Sequence, residues 1–319
     1  MARKVVGLAL GGGGLRGMAH IGVLQVLAEA GLQIDLFAGT SSGSLIAALG
    51  AMGWQAAEME QVSRSLSRAQ LYDPAIRWSD LLRLGVQLSA SFYGLRWRSK
   101  TQPPSGLLRG DKLEGLVHSW TNGSRFTGLL HPLAVIATDL RSAAPVVFAP
   151  PDFDGDISES IEGAAVMTGA TIAEACRAST ALPGVFSPKA LAGRLLVDGG
   201  ISDNVPVRVL RTMGADVVVA VDLGLPDRSD SLTMWDVLAA SMELMTDART
   251  RSELSRYADY VVRPRVPAVR LIELERMEES IQAGREAARQ ALPELLPLWT
   301  VAPAVVSLAA SEAAEAVLH

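Results

Sequence analysis

Val5 to Leu10 is an unbroken apolar run, and it stops on four consecutive glycines, Gly11 to Gly14. A short run that is apolar at every residue has no polar face to offer water, so it reads as a strand covered on both sides. Gly17 to Ala30 follows with helical spacing: Ile21, Leu24 and Leu27 share a face, and Gly31 stands where the helix would stop. Ile34–Ala38 reads as a second short strand, and Ser44–Met52 as a small-residue helix ended by Gly53. A strand-helix-strand crossover of this length joins parallel strands, which commits the chain to a parallel sheet flanked by helices.

The same alternation returns later. Leu133–Thr138, Ala144–Phe148, Leu195–Val197, Asp216–Leu223 and Tyr260–Arg263 read as strands. Ile172–Ala178, a helix from Pro206 to Met213 capped by Asn204, Trp235–Tyr257 and Leu271–Leu292 read as helices. Pro150–Glu162 reads as an acidic loop. The expected architecture is a three-layer α/β/α sandwich with a mainly parallel central sheet. There is no fixed-period repeat and no Ser/Gly linker. The segment 72–109 breaks the pattern, gathering Tyr72, Trp78, Phe92, Tyr93 and Trp97. Between Arg77 and Arg109 its bases Arg77, Arg83, Arg96, Arg98, Lys100 and Arg109 stand against a single acid, Asp80. Aromatic and apolar side chains beside cations suit an anionic membrane surface. The segment is therefore read as a lid or docking insertion, against the plainer alternative of a helical cover with a solvated rim.

Composition narrows the function classes. With 49% hydrophobic residues in 319 the chain is not a disordered tail, and 29 basic against 34 acidic residues, a net charge of −5, argue against a nucleic-acid binder. The single cysteine, Cys176, forms no intrachain disulfide and reads as a small buried side chain, which suits a reducing compartment. The apolar run after Arg3 and Lys4 is cut by glycines and Arg16, so it is not read as a signal peptide. Leu295–Ser311 is short for a bilayer span and carries Pro297 and Pro303. A cytoplasmic location, with peripheral membrane contact as an option, is expected. Asp152-Phe153-Asp154-Gly155-Asp156 fails the calcium-loop pattern, since Ile157 and Gly163 stand where Gly and Glu belong, and neither metal nor cofactor is expected.

Three features carry chemistry. Gly12-Gly13-Gly14-Leu15-Arg16-Gly17 lies between a strand and a helix, where successive backbone N–H groups and the helix dipole can hold an anion. That anion is either a bound phosphate or the oxyanion of acyl transfer. The dinucleotide fingerprint is also satisfied, but the next strand ends in Gly39-Thr40 rather than an acid for a ribose. Gly39-Thr40-Ser41-Ser42-Gly43 is a G-x-S-x-G sequence where a strand becomes a helix, the context of a nucleophile elbow. Ser42 and Ser44 are the candidates there for helix capping. Asp198-Gly199-Gly200 ends a late strand. Of the four histidines, His20, His118, His131 and His319, none follows a late strand, and each is read as structural. Asp198 remains as a base for Ser41, or as a turn cap.

Taken in order, these motifs resemble the patatin-like phospholipases. The resemblance extends to Ala137-Thr138-Asp139-Leu140, Arg177-Ala178-Ser179, Leu182-Pro183-Gly184, Asn204-Val205-Pro206 and Met213-Gly214-Ala215-Asp216. It covers about residues 5–265, with 72–109 matching less well and 266–319 left as a C-terminal helical extension packed on the same domain. It implies a Ser41–Asp198 dyad in place of a triad, with Ser41 as nucleophile and Asp198 as base. The amides of Gly13 and Gly14 would form the oxyanion hole, and Arg16 would hold the loop in shape or add positive charge. It further implies a phospholipid or related lipid ester as substrate, a covalent acyl-enzyme, and an Asp198 raised in pKa by partial desolvation. An acyltransferase with the same dyad and a dinucleotide- or phosphate-binding protein are the alternatives.

Overall fold

The computed structural model describes residues 3–75, 105–225 and 234–299. Its strands are β1 (Val6–Leu10), β2 (Leu36–Thr40), β3 (Gly106–Leu108), β4 (Leu133–Asp139), β5 (Pro145–Phe148), β6 (Ala165–Met167), β7 (Gly184–Phe186), β8 (Lys189–Leu191), β9 (Arg194–Asp198), β10 (Val217–Val221) and β11 (Tyr260–Val262). Its helices are α1 (Ala19–Glu29), α2 (Ser42–Ala51), α3 (Ala56–Ser65), α4 (Arg68–Leu71), α5 (Asp111–Thr121), α6 (Asp154–Ser160), α7 (Ile172–Ser179), α8 (Val207–Thr212), α9 (Met234–Tyr257) and α10 (Met277–Trp299). The main sheet runs β11-β10-β1-β2-β4-β5-β6, with β9 also on β4 and β8 on β9. Pairing is parallel from β11 through to β4.

Side chains alternate across the sheet and build two apolar layers. From β1, Val6, Leu8 and Leu10 enter the layer under α1, α2, α7 and α10. On the other face Ala9, Ala38, Ile136 and Ala220 meet Val209 and Leu210 of α8 and Leu254 of α9. Full burial of each large aliphatic side chain contributes about 1.5–3 kcal/mol. The three-layer arrangement is the one the sequence predicts.

The course of β4 decides the site. Its Val135 and Ile136 pair with Gly39 and Thr40 of β2 on one edge and with β5 on the other. Its Ala137 and Thr138 pair with β9 and again with β5. A residue has two edges, so β2 and β9 share the edge that β5 leaves free. β2 is parallel to β4 and β9 antiparallel, and the two therefore run toward each other and meet tip to tip.

Four local expectations are corrected. Pro150–Glu162 is not a loop: it forms a 3₁₀ turn, Pro151–Phe153, and then α6, because Ile157 and Ile161 drop into the second layer. The alternation does not vanish throughout 72–109, since β3 pairs with β7. Pro206, not Asn204, stands at the cap of α8, and no side chain caps it. α10 continues past Leu292 through Pro293 and Pro297 to Trp299, with Leu295 fully buried and Trp299 Nε1 donating to Gln33 O at 2.8 Å. The basic and aromatic residues of 76–104 lie outside the described residues, so the lid reading is not addressed by them. No helix among the described residues is long and apolar enough to cross a membrane.

α10 packs on α1 at glycine contacts. A Cβ on Gly284 would collide with the backbone carbonyl of Ala19, and one on Gly22 with that of Ile281. Gly115 on α5 faces open space instead. Two glycine-to-alanine changes in helix interiors are thus expected to have opposite signs. Gly284→Ala should lower the unfolding free energy by about 1–3 kcal/mol through overpacking. Gly115→Ala should raise it by about 0.5–1 kcal/mol through propensity alone. Urea melts of both variants check this.

Candidate active site

β2 ends at Thr40 and α2 begins at Ser42, so Ser41 alone makes the turn. It does so at φ 53°, ψ −125°, a conformation that side-chain-bearing residues rarely adopt and that costs about 1–3 kcal/mol. Gly39 and Gly43 make the turn possible, since a Cβ on Gly39 would press on the Gly43 backbone and one on Gly43 on the carbonyl of Leu10. Ser41 itself occupies the N-cap position, and no side chain caps α2. The capping expectation for Ser42 and Ser44 is therefore corrected. Ser44 Oγ donates back to Ser41 O at 2.6 Å, and the buried Ser42 Oγ has no partner among the described residues.

Asp198 arrives on the tip of β9. Thr40 stands opposite Ile136 and Asp198 opposite Ala137, adjacent residues of one strand. Ser41 Oγ donates to Asp198 Oδ2 at 2.7 Å, across 157 positions of sequence. The other carboxylate oxygen accepts the Gly200 N–H at 2.8 Å. Gly199 packs where a Cβ would strike the Ile136 carbonyl. Arg194 and Asp139 clamp β9 to β4 at 2.9 Å, and Thr138 Oγ1 donates to Asp198 O at 3.1 Å. Asp198 is 5% exposed. Burial pushes its carboxyl up to about 6, against the opposing pull of the Ser41 and Gly200 hydrogen bonds.

The glycine loop lies beside this pair. Gly11 N–H is spent on Val221 O at 3.1 Å and Gly12 N–H on Asn204 O at 3.3 Å. The amides of Gly13 and Gly14 have no acceptor among the described residues. A Cβ on Gly12 would lie 3.1 Å from Ser41 Cβ, and one on Gly17 would collide with the Ser42 side chain. Arg16 is buried and donates to Leu223 O at 3.1 Å, Gly224 O at 2.8 Å and Glu243 at 3.0 Å. Those bonds tie the loop to the segment after β10 and to α9. His20 Nε2 bonds Gly11 O at 2.8 Å, and complete burial lowers its pKa to about 4, leaving a neutral ring that holds the loop from below. His131 packs against Phe37, with ring centroids 5.8 Å apart, and His118 is exposed on α5. His319 lies outside the described residues.

Ser41 and Asp198 open into a cavity of about 240 Å³. Leu45 and Leu49 of α2, Met59 and Val62 of α3, and Leu113 and Trp120 of α5 supply much of its wall. Apolar walls around a few convergent polar groups are the usual form of a small-ligand site. Periodicity gave no sign of α3 or α5, nor of two backbone supports: Ser179 Oγ accepts the Ser41 N–H at 2.8 Å, and Ala181 O accepts the Asp198 N–H at 3.0 Å. Only the resemblance had singled out Ser179, without a role. Among the described residues no group of three or more His, Cys, Asp or Glu side chains could hold a metal ion.

The raised carboxyl pKa makes a stability statement. Between about pH 4 and pH 6 the folded chain holds the Asp198 proton that the unfolded chain has released. Stability from this group is therefore fullest below about pH 4 and is lost as the pH rises through about 6. Asp198→Asn has no charge to bury. It is expected to be more stable than the parent at pH 8 by up to about 3 kcal/mol, with the gap closing below about pH 4. Denaturant melts at pH 4, 6 and 8 measure it.

The family model for patatin-like phospholipase matches residues 8–211. Patatin-like phospholipase domain-containing protein 6 of Mus musculus is 31% identical over 236 residues, which are 74% of this chain and 15% of the mouse protein. An uncharacterized NTE family protein of Mycobacterium tuberculosis is 26% identical over 322 residues, covering 92% of this chain and 48% of its own. The chain thus spans less than half the length of these relatives. In structure it is similar to VipD from Legionella pneumophila, at TM-score 0.48 and 15% identity over 92% of this chain and 67% of VipD. Matched by the family model over more than half its length, the chain belongs to the patatin-like phospholipase family.

Proposed function

We propose that this chain is a serine acyl hydrolase that cleaves fatty-acyl ester bonds of phospholipids or related lipids. The observation that carries the reading is the 2.7 Å hydrogen bond from Ser41 Oγ to a buried carboxylate, made from a strained turn on the wall of an apolar cavity. A serine hydroxyl needs a base within reach, and a base with a pKa near 6 is both ionised at neutral pH and basic enough to share the proton.

In this reading Ser41 Oγ adds to the ester carbonyl carbon as its proton passes to Asp198 Oδ2. The oxyanion that forms takes the unspent amides of Gly13 and Gly14, each donor supplying about 3 kcal/mol. Collapse breaks the bond to the leaving alcohol, which takes the proton from Asp198 and departs, leaving acyl-Ser41. Water then adds to the acyl carbon, giving a proton to Asp198. Collapse of the second intermediate frees the fatty acid and returns the proton to Ser41. Arg16 acts by fixing the loop. The apolar walls accommodate the acyl chain.

A fluorophosphonate probe is expected to label Ser41, and Ser41→Ala to lose at least roughly 10³-fold in kcat on phospholipid and p-nitrophenyl esters. An adduct on another residue, or turnover by Ser41→Ala at the parent rate, overturns the reading. The kcat/KM of the parent is expected to rise with pH through about 6 and then level, because only ionised Asp198 accepts the Ser41 proton. A pH–rate profile on a soluble ester from pH 4 to 9 tests that limb.

A further inference from the structure

Ser179 is the last residue of α7 and has no exposed surface. Its Oγ accepts the Ser41 N–H at 2.8 Å. That N–H has no regular partner to fall back on. Thr40 is the last paired residue of β2, and Ser41 precedes the first residue of α2, so neither the ladder nor the helix supplies an acceptor. The backbone twist that sends the Ser41 side chain to Asp198 also leaves this amide needing a partner outside both elements.

The acceptor is itself fixed in place. Thr171 and Glu174 close a capping box at the start of α7. Arg177, buried two residues before Ser179, donates to Ser187 O at 2.6 Å and to Arg109 O. Cys176 Sγ reaches Ser44 O on α2 at 3.6 Å. Two residues beyond Ser179, Ala181 O accepts the Asp198 N–H at 3.0 Å. One helix end thus holds the main chain of both partners in the Ser41–Asp198 pair.

We propose that Ser179 is a positioning residue for the nucleophile: its hydroxyl holds the Ser41 amide so that Ser41 Oγ stays within proton-transfer range of Asp198. This rests on the reading of Ser41 as nucleophile and Asp198 as base. Proton transfer needs heavy atoms within about 2.6–3.2 Å. A displacement of about 1 Å at reacting atoms can cost on the order of 10²-fold in rate. Ser179 touches neither the cavity nor the reacting atoms, so its removal should act on kcat and not on substrate binding.

Ser179→Ala and Ser179→Thr are compared with the parent on p-nitrophenyl butyrate. Ser179→Ala is expected to lose roughly 10- to 100-fold in kcat with KM within about two-fold, and the acid limb of its pH profile stays where the parent has it. Ser179→Thr, which keeps the hydroxyl acceptor, restores most of the loss. Fluorophosphonate labelling of Ser41 slows in step with kcat. Amide hydrogen exchange over residues 39–43 is faster in Ser179→Ala than in the parent, measured where both remain folded. A Ser179→Ala enzyme with kcat within about two-fold of the parent, or with unchanged exchange at Ser41, overturns the proposal. If Ser179→Ala cannot be purified folded, Ser179→Cys replaces it: the thiol is a weak acceptor, and an intermediate loss is expected. A parent that hydrolyses no ester would overturn the proposed hydrolase, while exchange at Ser41 would still decide for or against the Ser179 contact.

Discussion

The hydrogen bond between Ser41 Oγ and Asp198 Oδ2 exists because β4 carries two strands end to end along one edge. Parallel β2 approaches the junction from one side and antiparallel β9 from the other. Their last residues pair with Ile136 and Ala137, so the chain leaving β2 and the carboxylate ending β9 meet without any loop reaching across. A pair placed by sheet register is held more tightly than one placed by mobile segments, since register slips only by whole residues. The Arg194–Asp139 ion pair and the Thr138 bond to Asp198 O reinforce that register at the junction itself.

Several unfavourable features converge on this point. Ser41 is strained, Asp198 is a carboxyl kept from water, and two glycine-loop amides have no acceptor among the described residues. The first two occur singly elsewhere, as in the positive φ of Asn122, Ala143 and Ala192 or the desolvated carboxyl of Asp203, but here all three border one apolar cavity. The two packed layers on either side of the sheet offset them. Strands β1, β4 and β10 are buried along their full length, and the polar groups around the site are tied to backbone from several elements. Their coincidence at one cavity, and not the presence of any one of them, sets this place apart in the fold.

The parts of the fold that were legible are those where short-range pattern and burial agree. Val5–Leu10, Leu133–Thr138 and Asp216–Leu223 are central strands covered on both faces, so apolar runs revealed them to within about two residues. The acidic segment after Pro150 misled because Ile157 and Ile161, only two residues in a polar stretch, are enough to dock a one-sided helix. α10 ran past its expected end because burial of Leu295 outweighs the two prolines in its last turns. At the site, the motifs named Ser41, Asp198 and the glycines. The role of Ser179, the part of Ala181 and the walls from α3 and α5 stayed hidden, because they contribute through position and not through a distinctive residue type.

By itself the amino-acid sequence determined which residues could bear chemistry and the class of architecture. A glycine-rich turn after a buried strand, a serine between glycines at a strand-to-helix step and an aspartate before two glycines are local patterns, written in neighbouring residues. Only the tertiary structure decided that the serine and the aspartate touch, that the carboxyl is dry enough to be raised, and which amides remain unspent. Those properties depend on strand order, register and exclusion of water, which arise from contacts between residues far apart in the chain and leave no trace in local spacing.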